Sequence, residues 1–343
     1  MKLLVTGGAG FIGSNFIRLL LASRNDVEII NFDKLTYAGN LENLADVAGN
    51  ARYSFVHGDI AEAKAVNEVL SGGFDAVVNF AAETHVDRSI EDASPFIRTN
   101  VMGTLLLLEA ARRVKLPLFL HISTDEVYGT APADQSFRED AQLEPRSPYA
   151  ASKASADHLV SAFAITYGLP SIILRCTNNY GPYQFPEKLI PLLIANVSED
   201  KPVPVYGDGL HERDWLYVED YCRAIALVLE KGKAGDVYNV SAGSPEPNLK
   251  IVKTILHLLG KPESLIKFVQ DRPGHDRRYS LDSTKIRESL GWKPQVRFEE
   301  GIRKTIDWYS ANSQWLARAR SGEYRHYYER HYTRRGETFG SLG

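Results

Sequence analysis

The chain has 343 residues, 44% of them hydrophobic and 24% charged, which suits one large domain or two closely joined ones of an ordinary soluble globular protein. A net charge of −3 gives no basis for nucleic-acid binding, and two cysteines, Cys176 and Cys222, make no disulfide framework, so a reducing cytoplasm is the simpler compartment. Met1-Lys2 runs straight into Leu3-Leu4-Val5 and Arg18 interrupts the first apolar run, so neither a signal peptide nor a membrane span is expected.

Lys2 to Thr6 predicts a short buried strand. Gly7-Gly8-Ala9-Gly10-Phe11-Ile12-Gly13 follows, and then the helical pattern Ser14 to Ala22. Strand, glycine loop and helix in that order are the context a dinucleotide fingerprint needs. Small residues let the backbone approach a pyrophosphate, and the helix N-terminus offers oriented N–H groups. The spacing from Gly7 through Gly10 to Gly13 departs by one residue from the simplest fingerprint, although Gly8-x-Gly10-x-x-Gly13 is also present. A second strand, Val27 to Phe32, ends at Asp33, 20 residues beyond Gly13. A carboxylate there hydrogen-bonds a ribose 2′-hydroxyl and repels a 2′-phosphate, which favours NAD over NADP, with the neighbouring cation Lys34 as a counter-signal.

Tyr53 to His57 predicts a third strand, followed by Asp59-Ile60, where Asp59 serves as a helix cap or an adenine contact. Asp75 to Phe80 predicts a fourth, and the small pair Ala81-Ala82 at its end suggests backbone close to the cofactor. In the polar cluster Thr84 to Ser89, His85 reads as a structural histidine. Asn100 to Val114 predicts a helix with Leu105, Leu108 and Ala111 on its apolar face.

The apolar run Leu116 to Ile122 predicts a buried strand, which places Thr124, Asp125 and Glu126 at its C-terminal end, where open α/β sheets bind ligands. Ser147-Pro148 opens a helix that runs on to Tyr167 and puts Tyr149 and Lys153, four residues apart, on one face. A phenol of ordinary pKa ~10 is a poor base at neutral pH. A fixed ammonium beside it would favour the phenolate, so Tyr149 near Lys153 can take a hydroxyl proton as hydride leaves the same carbon. Asp125-Glu126 adds a second acid and base that simple alcohol oxidation does not require. Adjacent carboxyls repel as anions, so one of the two pKa values is expected to rise. Ser171 to Arg175 predicts a sixth strand, and the alternation of strand and helix to this point predicts a doubly wound parallel α/β sheet.

Past about residue 176 the character changes. Asn178 to Pro182 reads as a loop of turn-formers, and Pro186 to Asn196 as a helical run. Pro204 to Tyr206 reads as a strand, Val218 to Leu229 as a helix, Asp236 to Val240 as a strand and Leu249 to Leu259 as a helix. Asp271 to Arg278 is dense in charge; its cations suit phosphates, though a solvated surface loop is the plainer reading. Phe298 to Tyr309 predicts a closing helix, and Tyr324 to Arg335 reads as an interface or loosely ordered tail. The nine histidines show no metal-ligand spacing, so no metal is expected.

The glycine loop, Asp33 and Tyr149-x-x-x-Lys153 together resemble the extended short-chain dehydrogenase/reductase superfamily. The longer stretches Asp33 to Leu44, Thr124 to Gly129, Arg175 to Pro191 and Asp271 to Tyr279 are similar to the dTDP-glucose 4,6-dehydratase family within it. The resemblance covers about residues 1 to 316; Thr84 and Thr177 stand where the family usually has serine, and both keep a hydroxyl. It implies an NAD-containing Rossmann domain, mainly residues 1–176, and a smaller C-terminal α/β sugar-nucleotide domain, mainly 177–316, with room for interleaving and a tail of unknown role at 317–343. It also implies a homodimer built on Asn100 to Val114 and Tyr149 to Tyr167.

By matching motif positions, the resemblance assigns Phe11, Ile12, Asp33, Lys34, Leu35 and Thr36 to the cofactor, with Asp59, Ile60, Thr99, Tyr149, Lys153 and Asn179. It assigns Thr84, Asn178, Lys188, Leu189, Pro204, Val205 and Tyr206 to the substrate, with Arg213, Asn248, Asp271, Arg272, Pro273, Gly274 and His275. The implied substrate is dTDP-glucose and the implied product dTDP-4-keto-6-deoxyglucose plus water. In that scheme Tyr149 takes the proton from the carbon-4 hydroxyl, Glu126 takes the carbon-5 hydrogen, Asp125 protonates the departing carbon-6 hydroxyl and Thr124 holds the sugar near carbon 4. On the residues alone, other readings stay open. A sugar-nucleotide 4-epimerase would share the cofactor, Tyr149 and Lys153 but has no use for Asp125-Glu126. A UDP- or GDP-hexose 4,6-dehydratase would share everything, and a non-catalytic NAD sensor would need neither pair.

Overall fold

Residues 1–321 are described by the structure, a computed structural model; Tyr324 to Arg335, with the rest of 322–343, lies outside the described residues. The strands in chain order are β1 (Lys2–Thr6), β2 (Glu28–Asp33), β3 (Tyr53–His57), β4 (Ala76–Asn79), β5 (Phe119–Thr124) and β6 (Ser171–Cys176). They continue with β7 (Asn178–Tyr180), β8 (Val203–Tyr206), β9 (Glu212–Tyr217), β10 (Val237–Val240), β11 (Pro245–Pro247) and β12 (Ile266–Val269). Seven strands pair side by side in the order β10-β6-β5-β4-β1-β2-β3, every pair parallel.

A parallel sheet needs helices on both faces, which is why Leu3, Leu4 and Val5 are all buried although successive side chains point to opposite sides. On one face the Phe11–Ser23 and Val218–Lys231 helices bring Phe16, Ile17 and Leu20 against Ile225 and Val228. On the other, the Ala63–Leu70, Thr104–Arg113 and Pro148–Tyr167 helices bury Val66, Leu107, Leu108 and Val160. The Pro148–Tyr167 helix starts where local chemistry says it should. The Ser147 hydroxyl accepts from the Ala150 amide at 3.1 Å, Pro148 takes the first helical position, and Gly168 closes it at φ 66°.

The smaller layer holds a three-stranded sheet, β11-β9-β7, and the parallel pair β12-β8 around Ile190, Leu193, Trp215, Ile251 and Ile302. The chain past residue 176 feeds both layers, because β10 returns to pair with β6 and the Val218–Lys231 helix covers the large sheet. No helix among the described residues is long and apolar enough to cross a membrane.

Two local expectations are corrected. Asn178 to Tyr180 is not a loop but β7, paired in parallel with β9. Tyr180 is fully buried, with its ring 5.5 Å from that of Phe298 and 5.7 Å from that of Tyr217, and this packing overrides the turn preference of the two asparagines. The helix expected from Asn100 begins earlier, and Ile97–Gly103 is wound as a π-helix. Its buried Asn100 accepts from the Glu83 amide and donates to the Glu83 carbonyl and the Ser152 hydroxyl, tying the segment to the loop after β4.

Candidate active site

From β1 the chain winds outward to β2 and β3, and from β4 outward to β5 and β6, so the direction of winding reverses between β1 and β4. A crevice opens outside the carboxyl ends of those two strands, as topology requires. Gly7 has φ +70°, and a Cβ there would lie 2.6 Å from the amide nitrogen of Ala81, so the turns after β1 and β4 touch backbone to backbone. Gly7, Gly10, Phe11, Ile12 and Gly13 form one wall, and Ala81, Ala82 and Thr99 another. Asp33 ends β2, its carboxylate accepting from the Ala9 amide at 2.9 Å and the Leu35 amide at 2.8 Å; burial pushes its pKa up. Asp33, Lys34, Thr36, Asp59 and Ile60 complete this compartment. Asp59 both caps, accepting from the Ala61 amide at 2.9 Å, and pairs with the Lys34 ammonium at 2.8 Å. That pairing draws Lys34 away from a role as a 2′-phosphate partner and strengthens the case for NAD.

The same crevice continues to Thr124, the last residue of β5, and to the 3₁₀ turn Asp125–Tyr128. The Thr124 hydroxyl accepts from the Glu126 amide at 3.2 Å and donates to Asp125 Oδ1 at 3.1 Å. Asp125 is 4% exposed, and burial, followed by the charge of Glu126, pushes its carboxyl well above the usual range. Burial thus favours the neutral form of Asp125. The Tyr279 hydroxyl stands 3.3 Å from Glu126 Oε2 and 2.9 Å from Asp276 Oδ2, with one proton to give to either.

Tyr149 and Lys153 line this part of the crevice, but the expected lowering of the phenol is not what the chain by itself produces. Burial, followed by the charge of Glu126, pushes Tyr149 well above its ordinary value, and the nearby Thr124 hydroxyl offsets only part of that. Lys153 is buried as well, donating to the Ile122 carbonyl at 2.7 Å, and burial lowers its pKa to about 8 against the opposing pull of Asp157. A buried amine titrating near 8 has a kinetic signature: kcat/KM should fall as pH rises through about 8, because the cation that opposes the cost of a phenolate is lost. A pH–rate profile flat to pH ~10, the ordinary Lys range, would remove Lys153's charge from the reaction.

A second compartment joins the first through Glu126, Asn178, Asn179, Gln184, Glu187 and Lys188. It is lined by Leu189, Pro204, Val205, Tyr206, Arg213 and Asn248, together with Arg272 and His275. Thr84 sits in the first compartment, where its carbonyl accepts from the Lys188 ammonium at 2.7 Å. The charged stretch 271–278 is thus not simply a solvated loop, since the Arg272 side chain is 16% exposed and faces Asp87 at 3.5 Å. Leu35, Asp271, Pro273 and Gly274 are not brought to either wall. Leu35 instead holds Asp33 through its amide, and Gly274, at φ +65°, turns the loop so close to the Arg146 carbonyl that a Cβ there would lie 2.8 Å from its oxygen. Asp271 braces two histidines: His275 Nδ1 lies 2.6 Å and His211 Nε2 3.2 Å from its oxygens, and the rings stack at 3.8 Å. Burial would raise Asp271, but the two imidazole hydrogen bonds outweigh it and hold it far below the carboxylate range, while burial takes His275 down to about 3. These three residues gather metal-ligand chemistry that their sequence spacing does not show. With the rings only 14° from parallel, however, their in-plane lone pairs do not converge on one ion.

Glu187, Gln184, Asp87 and Tyr279 also line these walls and were not singled out by sequence. Glu187 is buried with the Arg88 guanidinium 3.3 Å away, and burial raises its pKa to about 6. Its position directly before Lys188 was the available signal, and burial, which only the fold supplies, is what makes it chemically unusual. His85, expected to be structural, is buried and also lines the second compartment. The donor set fits a dinucleotide. Glycines close the loop where side chains would collide, an acid stands at the ribose position, and Asn178 Oδ1, Asn179 Oδ1 and Asp125 Oδ2 are buried without a hydrogen-bond partner among the described residues.

A family model described as GDP-mannose 4,6 dehydratase matches residues 4–305. A curated dTDP-glucose 4,6-dehydratase of Shigella flexneri is 51% identical over 358 residues, covering 97% of this chain and 99% of the relative. The crystal structure of DesIV, a dTDP-glucose 4,6-dehydratase from Streptomyces venezuelae with NAD and dTDP bound, superposes with a TM-score of 0.90 at 50% identity over 93% of this chain and 100% of that one. A Thermus thermophilus UDP-glucose 4-epimerase in complex with NAD shares the fold at a TM-score of 0.84 but only 33% identity, over 91% of this chain and 100% of that one. With half of its residues identical across nearly the whole length of both chains, and with the acid pair that follows β5 lining one crevice with the glycine loop, the chain belongs to the dTDP-glucose 4,6-dehydratase family of the extended short-chain dehydrogenases/reductases.

Proposed function

We propose that the chain converts dTDP-glucose to dTDP-4-keto-6-deoxyglucose and water, and that the observation carrying this reading is a buried Asp125 beside Glu126 in the crevice that also holds Tyr149 and Lys153. Bound NAD supplies the redox chemistry, removing hydride from carbon 4 of the sugar and returning it to carbon 6. Tyr149, as the phenolate that the Lys153 cation would favour, accepts the carbon-4 hydroxyl proton, with Thr124 donating to the same region of the sugar. A ketone at carbon 4 acidifies the hydrogen on carbon 5, which Glu126 removes, and carbon 5 is reprotonated as hydride reaches carbon 6. Asp125, whose neutral form burial favours, gives a proton to the hydroxyl leaving carbon 6. Oxidation alone needs neither carboxyl, and this is what separates dehydration from 4-epimerisation at the level of residues.

The cofactor is assigned to the walls built by Gly7 to Gly13, Asp33, Ala81 and Thr99, and the diphosphate to the buried Arg213 and the half-buried Lys188 and Arg272. Residues 1–176 serve mainly the cofactor and 177–316 mainly the sugar nucleotide, with 218–231 and 237–240 crossing to the larger layer. A homodimer is supported by the apolar surface of the two adjoining helices, where Ile97, Met102, Val114, Ile165 and Tyr167 are exposed. Cytoplasmic placement is supported by two buried, unpaired thiols, Cys176 and Cys222.

The test is incubation of the purified protein with dTDP-glucose and no added cofactor. The expected product is lighter by one water, and UDP-glucose and GDP-mannose turn over more slowly. Formation of UDP-galactose from UDP-glucose, with dTDP-glucose untouched, would overturn the reading in favour of an epimerase.

A further inference from the structure

The glycine loop is held in place at Ala9, which is fully buried. Its amide donates to Asp33 at 2.9 Å, and its carbonyl accepts from the Asn43 side-chain amide at 2.9 Å and the Asn40 backbone amide at 3.1 Å. Asn43, on the 3₁₀ turn Leu41–Leu44, is itself held by two distant groups. Its backbone carbonyl accepts from the Arg18 guanidinium, and its Oδ1 accepts from the indole Nε1–H of Trp315 at 2.9 Å. That last bond spans 272 positions of sequence. It decides which way the Asn43 amide faces: Nδ2 can donate to Ala9 only while Oδ1 points away, and a buried Oδ1 without a donor carries a desolvation cost.

Trp315 is well placed to hold the amide still. It sits on the Ser313–Ala319 helix, 5.1 Å from the Trp308 ring and 6.1 Å from the Tyr183 ring, edge to face. One turn on, Arg318 grips Glu42 through Nε at 2.9 Å and a second nitrogen at 2.7 Å, so the helix holds the turn at two points. We propose that Trp315 is a positioning residue for cofactor retention, acting through Asn43 on the carbonyl of Ala9 in the glycine loop. The inference rests on the assignment of that loop to NAD. The chemistry gives retention a purpose, since the reducing equivalents taken from carbon 4 go back to the same sugar, and a dinucleotide that leaves in between strands the intermediate.

The test uses the full chain carrying Trp315→Phe, which keeps an aromatic ring in the Trp308–Tyr183 cluster and removes only the donor with part of the ring. Two quantities are read, the rate at which bound NAD exchanges for isotopically labelled NAD, and the thermal midpoint. Loss of one neutral hydrogen bond should speed exchange roughly two- to tenfold. Combined with Asn43→Ala, Trp315→Phe should add nothing further, because the two residues act as one unit. Exchange at the parental rate with a lowered midpoint makes Trp315 a packing residue and overturns the inference, as do fully multiplicative effects in the double variant. Should Trp315→Phe fail to fold, Asn43→Asp carries the same test, since it keeps the acceptor for Trp315, removes the donor to Ala9, and should also speed exchange. A chain that binds no dinucleotide at all overturns the cofactor assignment and this inference together, whereas unchanged exchange overturns this inference alone.

Discussion

Asp125→Asn combined with Glu126→Gln should leave a protein that still turns its nicotinamide to the reduced form when dTDP-glucose is added, yet yields dehydrated sugar at least about 10³-fold more slowly. Both substitutions preserve shape. Asparagine closely mimics the neutral, protonated Asp125 and can still accept from Thr124, and glutamine can still accept from the Tyr279 hydroxyl. What disappears is the ability to give a proton to the leaving hydroxyl and to take one from carbon 5. The proton acceptor for the oxidation, Tyr149, is untouched, so the near-ultraviolet absorbance of reduced nicotinamide should rise and persist instead of rising and decaying. Water loss at the parental rate from this double variant would take the acid pair out of the reaction.

Gly7→Ala should cost stability of about 3 kcal/mol, with loss of bound NAD, because two penalties fall on one atom. The backbone there is left-handed at φ +70°, which costs an L-residue roughly 1–2 kcal/mol. The new methyl also meets Ala81 N at 2.6 Å and Ala81 Cα at 2.7 Å. Both are backbone atoms at the end of an inner strand, and forcing such a contact apart costs roughly another 1–3 kcal/mol. Gly49 is the control. A Cβ there meets nothing within 4 Å, so Gly49→Ala should stay within about 0.5 kcal/mol of the parent. Chemical denaturation of the two variants gives the comparison, and equal stabilities would mean that the turns after β1 and β4 do not approach as described.

Features set by neighbours in the chain were open to reading without coordinates. The strand, glycine loop and helix at Lys2–Ser23, the acid at the end of β2, and the shared face of Tyr149 and Lys153 depend on spacing within one or two elements, and they are found where spacing puts them. The second half was harder for a physical reason. Asn178 to Tyr180 has turn-forming composition, and it becomes a strand because Tyr180 finds Tyr217, Trp215 and Phe298, none of them close in sequence. Arg272 looks like a surface cation until Asp87, 185 positions earlier, is placed beneath it.

By itself the sequence determined the order of the strands through β6 and the parallel doubly wound sheet, and it singled out the residue types proposed for proton transfer, since hydrophobic period and glycine placement act locally. Only the tertiary structure decided how those residues are tuned. It raised Asp125 by burying it, raised Tyr149 where the nearby lysine had suggested lowering, and brought Lys153 down to about 8. It also tied a C-terminal tryptophan to an N-terminal loop. Desolvation and long-range hydrogen bonding depend on what the rest of the chain places around a group, and that is written in three dimensions, not in spacing.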